Sequence, residues 1–150
     1  MVFALLVVAC FAAFFITQRL KHTPTAVQLF ELTPSFSPTL AGHIKQERIS
    51  FKLARADEVT VTIESVAGDD VATLVRDRPV TRYKQFSLRW NGRLGAARGY
   101  AILRAPNGHL TLLPTNPGKL APAGEYRVRV SLRSQNRTVV SPRNFRLVGG

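Results

Sequence analysis

Pro122-Ala-Gly-Glu-Tyr-Arg-Val-Arg-Val-Ser-Leu132 decides how this chain folds. From Tyr126 onward the apolar residues Tyr126, Val128, Val130 and Leu132 alternate with Arg127, Arg129, Ser131 and Arg133. Successive side chains of a strand point to opposite faces, so this is a half-buried strand with a row of arginines turned to water. The Pro-Ala-Gly ahead of it is turn material, because Pro presets φ and Gly tolerates a positive one. Gln135-Asn136 ends the run. A second β-rich run spans residues 137–148 and is interrupted by Pro142, which a central strand does not accept.

The same period of two recurs upstream. Residues 45–54 place Ile49, Phe51 and Leu53 on one face and Arg48, Ser50 and Lys52 on the other. Residues 58–65 turn Val59, Val61 and Ile63 inward, and Gly68-Asp-Asp70 is a turn. An edge-like strand follows over 71–75, closed by Arg76-Asp-Arg-Pro79. Residues 83–90 turn Phe86, Leu88 and Trp90 inward and Ser87 and Arg89 outward, and Asn91-Gly92 then makes a tight turn. Short alternating strands, turn signals every eight to twelve residues and no helical period in the body predict an all-β fold. The expected architecture is an antiparallel β-sandwich of about seven strands.

Several of these pieces fall in a familiar order. Phe36-Ser-Pro38 leads to Ile49-Ser-Phe-Lys-Leu53, Val59-Thr-Val-Thr-Ile63, Phe86-Ser-Leu-Arg-Trp-Asn-Gly-Arg93 and Pro122-Ala-Gly-Glu-Tyr-Arg-Val-Arg-Val130. The order resembles the Ig-like domain shared by the flagellar hook-capping protein and the Vpr-type extracellular proteases, over residues 35–148. The resemblance implies a non-catalytic sandwich used as a spacer or assembly module, and it carries no catalytic residue over. The chain departs from that pattern in two places. Thr39-Leu-Ala-Gly-His43 stands where the family has an Asn- and Asp-rich loop, which removes any cation site there. Residues 94–121 replace a short polar connection.

That insertion places two apolar-leaning runs around Asn107-Gly108, the strongest short-range hairpin signal. Two readings follow from it. The hairpin carries Tyr100, Ile102, Leu110 and Leu112 to a partner, or it folds back and widens one sheet.

At the other end, residues 2–16 (VFALLVVACFAAFFI) contain no charge and no strong helix breaker. As a helix they would rise about 22 Å against a hydrocarbon core of about 30 Å, with Arg19 and Lys21 able to snorkel. No basic residue precedes the run and no small-x-small site follows it, so a cleaved signal peptide fits poorly. The expectation is a transmembrane signal-anchor helix over residues 1–18, a linker over 19–34, and a single-pass membrane protein with its sandwich outside the cytoplasm. The basic residues after the span argue for the opposite orientation.

The balance of 21 Lys and Arg against 9 Asp and Glu gives a net charge of +12. It reflects either an arginine-rich coding habit or a surface for anionic polymer. Such a surface would use Arg89, Arg127, Arg129 and Arg133, provided that their strands share a sheet. The lone Cys10 excludes an intrachain disulfide and a cysteine metal cluster. His22, His43 and His109 have no partner at metal-ligand spacing, and Asp69-Asp70 lacks the alternate spacing of a calcium loop. There is no Gly-x-Ser-x-Gly elbow and no phosphate loop. The expectation is therefore no enzyme, no cofactor and no metal. The foreseen partners are the membrane and another envelope protein, not nucleic acid, and the role is structural or in protein interaction.

Overall fold

The computed structural model describes residues 2–22 and 25–149, the side chains of 15–22 excepted. Among the described residues one helix, α1 (Val2–His22), is followed by twelve strands in two sheets. The first sheet runs, edge to edge, β1 (Val27–Leu32), β3 (Glu47–Leu53), β6 (Phe86–Trp90), β9 (Leu110–Pro114) and β8 (Tyr100–Arg104). The second runs β2 (Ser35–Phe36), β12 (Phe145–Leu147), β10 (Gly124–Leu132), β4 (Asp57–Ser65), β5 (Asp70–Val80) and β7 (Gly95–Ala96), with β11 (Arg137–Val140) on the far part of β10.

Period-two patterning builds the core. Ile49, Phe51 and Leu53 from β3 and Leu88 and Trp90 from β6 are buried against Val59, Val61 and Ile63 of β4 and Tyr126, Val128, Val130 and Leu132 of β10. Trp90 lies at one end of this layer, its ring 5.7 Å from Phe36, 5.7 Å from Tyr126 and 6.0 Å from Phe145. Gly92 follows at φ 80°, where an added Cβ would stand 2.8 Å from Pro38 Cγ, so the Asn91-Gly92 turn needs glycine twice over.

The sheets are mixed, which corrects the expectation of an antiparallel sandwich of about seven strands. β2 pairs parallel with β12, β5 with β7, and β6 with β9. The insertion causes two of these pairings. After β6 the chain crosses to the other sheet, spends two residues there as β7, and returns as β8 and β9. It re-enters the first sheet at its outer edge as β8, running opposite to β6, and the hairpin then brings β9 back between them, parallel to β6.

Pro142 splits the final run into β11 and β12, which pair with successive parts of β10. Ser141 bridges the break: its backbone N–H donates to the Val128 carbonyl at 2.7 Å, and its hydroxyl accepts from Val128 N–H at 3.0 Å. β5 runs on through Pro79, beyond the expected close at Arg76, because only β4 borders it there and its outer side is open.

The N-terminal expectation is also corrected. Among the described residues no helix is long and apolar enough to cross a membrane. The apolar run ends at Ile16, about 22 Å of rise, and α1 continues through Arg19 and Lys21. The transmembrane anchor over residues 1–18 and the single-pass membrane location fall with it. Nor are residues 19–34 a linker throughout: α1 reaches His22 and β1 begins at Val27, while Pro24 lies outside the described residues.

Candidate functional site

The insertion forms an antiparallel hairpin, with Tyr100 opposite Pro114, Ile102 opposite Leu112 and Arg104 opposite Leu110. β9 lies parallel beside β6, Leu112 against Leu88, so the hairpin widens the five-stranded sheet. The four residues picked out from the sequence then part company. Leu112 is 4% exposed and belongs to the core, whereas Tyr100, Ile102 and Leu110 are 50%, 55% and 40% exposed. Leu103, a neighbour on the opposite face of β8, is 43% exposed.

Beneath the hairpin lies a groove of about 370 Å³, where the sandwich opens between its sheets. Phe86, Ile102, Leu110 and Leu112 line it, and Arg78 and Lys84 stand at its rim. The Arg78 guanidinium carbon sits 4.7 Å from the centre of the Tyr100 ring, a cation–π contact that holds the cation over the edge strand. Among the described residues no Asp or Glu lines the groove. A sequence signal was available for this. No carboxylate occurs between Asp77 and Glu125, while eight Lys and Arg do, and the whole hairpin lies within that stretch.

The four arginines do not make one face. Arg89 is on β6 of the five-stranded sheet, opposite Arg48, whereas Arg127, Arg129 and Arg133 are on or just beyond β10 of the other sheet. Those three are also engaged. Arg127 Nε lies 2.5 Å from Glu64 Oε1, and Arg129 reaches Glu64 at 3.2 Å and Asp70 at 2.8 Å. Arg133 reaches Glu58 at 3.1 Å and Asp77 at 3.7 Å. The carboxylates of β4 and β5 that neutralise them were invisible as partners until pairing brought the strands side by side.

Two buried carboxyl groups have opposite characters. Asp57 opens β4 and accepts from Glu58 N–H at 2.7 Å, Ser134 N–H at 2.8 Å, and Gln135 N–H and Nε2 at 3.2 and 3.0 Å. Burial alone would raise its pKa, but these donors together outweigh that and hold it below the usual carboxylate range. Asp57 thus fastens the β10–β11 turn to the start of β4. Asp57→Ala should cost about 2–3 kcal/mol in urea unfolding at pH 7. A depressed folded pKa gives stability that is present above the unfolded value near 3.8 and is lost as pH falls through the folded one. The variant should therefore lose less stability than the parent on acidification below pH 4.

Glu47 has no such partners. It continues the inward parity of Ile49, Phe51 and Leu53, lies opposite Trp90, and is wholly buried, with neither carboxylate oxygen hydrogen-bonded among the described residues. Burial pushes its pKa up to about 8, and the nearby Thr33 N–H offsets this only in part.

Among the described residues no group of three or more His, Cys, Asp or Glu is placed to hold a metal ion. His43 and His109 are exposed, and the side chain of His22 lies outside the described residues. Comparison with protein-family models, with curated proteins and with solved structures returned no match. What the geometry defines is a class: a mixed β-sandwich extended by a hairpin whose outer strand and groove are open to solvent.

Proposed function

We propose that this chain is a non-catalytic Ig-like sandwich module whose role is protein interaction or assembly, exercised through its inserted hairpin. The observation that carries this reading is the set Tyr100, Ile102 and Leu110, large apolar groups exposed on one face of the hairpin. Isolated apolar residues on a surface need no explanation, but a cluster beside a groove marks a contact site. The Ig-like resemblance gains support from Tyr126, whose hydroxyl donates to the Pro122 carbonyl four residues upstream. A tyrosine tied back to the preceding corner in this way is a recurring feature of such sandwiches.

The competing reading, an anionic polymer held by Arg89, Arg127, Arg129 and Arg133, required one basic face. The sheet order divides those residues.

A photo-reactive phenylalanine analogue placed at position 102 should give discrete adducts in the protein's native cells. The same analogue at the exposed position 138, on the other sheet, should not. No adduct at 102, or identical adducts at both positions, would overturn the reading.

A further inference from the structure

We infer that the free edge of β8 takes one additional strand, an extended acidic segment of another protein with the pattern acid-x-aliphatic-x-acid. The inference rests on the hairpin being the contact surface, and it names the chemistry that the surface selects.

The backbone comes first. Thr115 N–H donates to the Gly99 carbonyl and Ala105 N–H to that of His109, so the odd-numbered residues of this strand bond across to β9. Hydrogen-bonded and non-bonded positions alternate along an antiparallel pair. The N–H and C=O groups of Tyr100, Ile102 and Arg104 therefore point away from β9, toward the open edge. An exposed row of this kind is a template for an incoming strand.

The other edges are blunted. β1, at the far side of the same sheet, has its register broken between Gln28 and Glu31, with Leu29 at φ 49°. The outer strands β2 and β7 are two residues long, and β11 is four residues long with Pro142 close behind it. β8 keeps unbroken register over its five residues and contains no proline.

Side chains then specify the guest. Tyr100, Ile102 and Arg104 share the face of Leu112, which looks toward the groove. A guest residue opposite Ile102 would set its side chain beside Ile102, which calls for an aliphatic group. Guest residues two places to either side lie on the same face. One meets Arg78 over the Tyr100 ring, and the other meets Arg104. With no carboxylate in the surrounding stretch, both places favour an acid. A second copy of this chain is the wrong occupant, since edge-to-edge pairing would bring two equally basic rims together.

The test uses the full chain, labelled with nitrogen-15, and a fluorescein-labelled, end-blocked peptide of sequence Ser-Glu-Thr-Val-Thr-Glu-Ser. Two control peptides accompany it, one with both Glu replaced by Gln and one N-methylated on the alternate amides that would face β8. The acidic peptide should bind at low salt, shift the amides of Tyr100, Ile102 and Arg104, and weaken at least tenfold between 50 and 300 mM salt, as the screening length falls from about 14 Å to about 6 Å. Each control should bind at least tenfold more weakly. Ile102→Lys and Arg78→Gln should each weaken binding at least fivefold without lowering the melting temperature of the chain.

Equal binding of the Gln peptide at β8 would overturn the acidic preference while leaving the hairpin as the contact surface. Equal binding of the N-methylated peptide would overturn strand addition. Acidic binding that maps to Arg48 and Arg89 instead, or no binding of any peptide, would remove both this inference and its support for the hairpin reading.

Discussion

Trp90→Ala is expected to destabilise the fold by about 3–5 kcal/mol, the range for deleting a large buried aromatic group. That is a large part of the roughly 5–15 kcal/mol that holds a domain together, so the variant should be partly unfolded at moderate temperature. The ring is wholly buried and touches Phe36, Tyr126 and Phe145, residues from three strands of the other sheet. Its indole N–H also donates to the Arg93 carbonyl at 2.9 Å, which fixes the turn that starts the crossover to β7. Trp90→Phe keeps most of the packing and loses that hydrogen bond, so it should cost less than half as much. Urea unfolding followed by circular dichroism separates the two variants. A loss below about 1 kcal/mol for Trp90→Ala would mean that the aromatic cluster does not bind the sheets together at this end.

Glu47→Gln should do the reverse and stabilise the protein. With its pKa raised to about 8, Glu47 is held protonated in the folded chain at neutral pH, whereas the unfolded chain releases the proton near 4.5. A raised folded pKa gives stability that is full below the unfolded value and is lost as pH climbs through the folded one. Parent stability should therefore fall steadily from pH 4.5 to pH 8. The glutamine has nearly the same shape and no proton to lose, so its stability should stay flat over that window. At pH 7 the difference should reach about 3 kcal/mol in favour of the variant. Unfolding midpoints at pH 5, 6, 7 and 8 check this, and parallel profiles for the two proteins would contradict it. The acid-side loss assigned to Asp57 begins below this window, so the two carboxyl groups can be read separately. The two sites at this end are also coupled, because Glu47 and Trp90 face each other across β3 and β6. The cavity left by Trp90→Ala would admit water to Glu47, and the pH dependence should weaken in that background.

Glu47 was legible as an inward position. It stands two positions before Ile49, on the face that the alternation of residues 45–54 turns inward, and only its charge argued for water. The hairpin was legible from Asn107-Gly108, but which of its four apolar residues stay exposed was not, because whether an apolar residue on a hairpin is core or surface depends on which strand lies beside it. Here β6 does, through a parallel pairing that no local pattern announces. The anchor drawn from residues 2–16 failed for a different reason. Composition showed a greasy helix, but crossing a bilayer depends on length, and the apolar run stops short.

Alternation of side chains is a local property, and it alone determined where most strands of this protein lie and which residues each one buries. Sheet membership is non-local. It depends on where the chain crosses between layers, and a two-residue stop at β7 is enough to make β6 and β9 run parallel. Only the tertiary structure therefore decided that Arg89 and Arg127 belong to different sheets, that Glu64 pairs with two arginines on the neighbouring strand, and that β8 is left as a regular edge with alternate hydrogen-bonding groups turned to solvent.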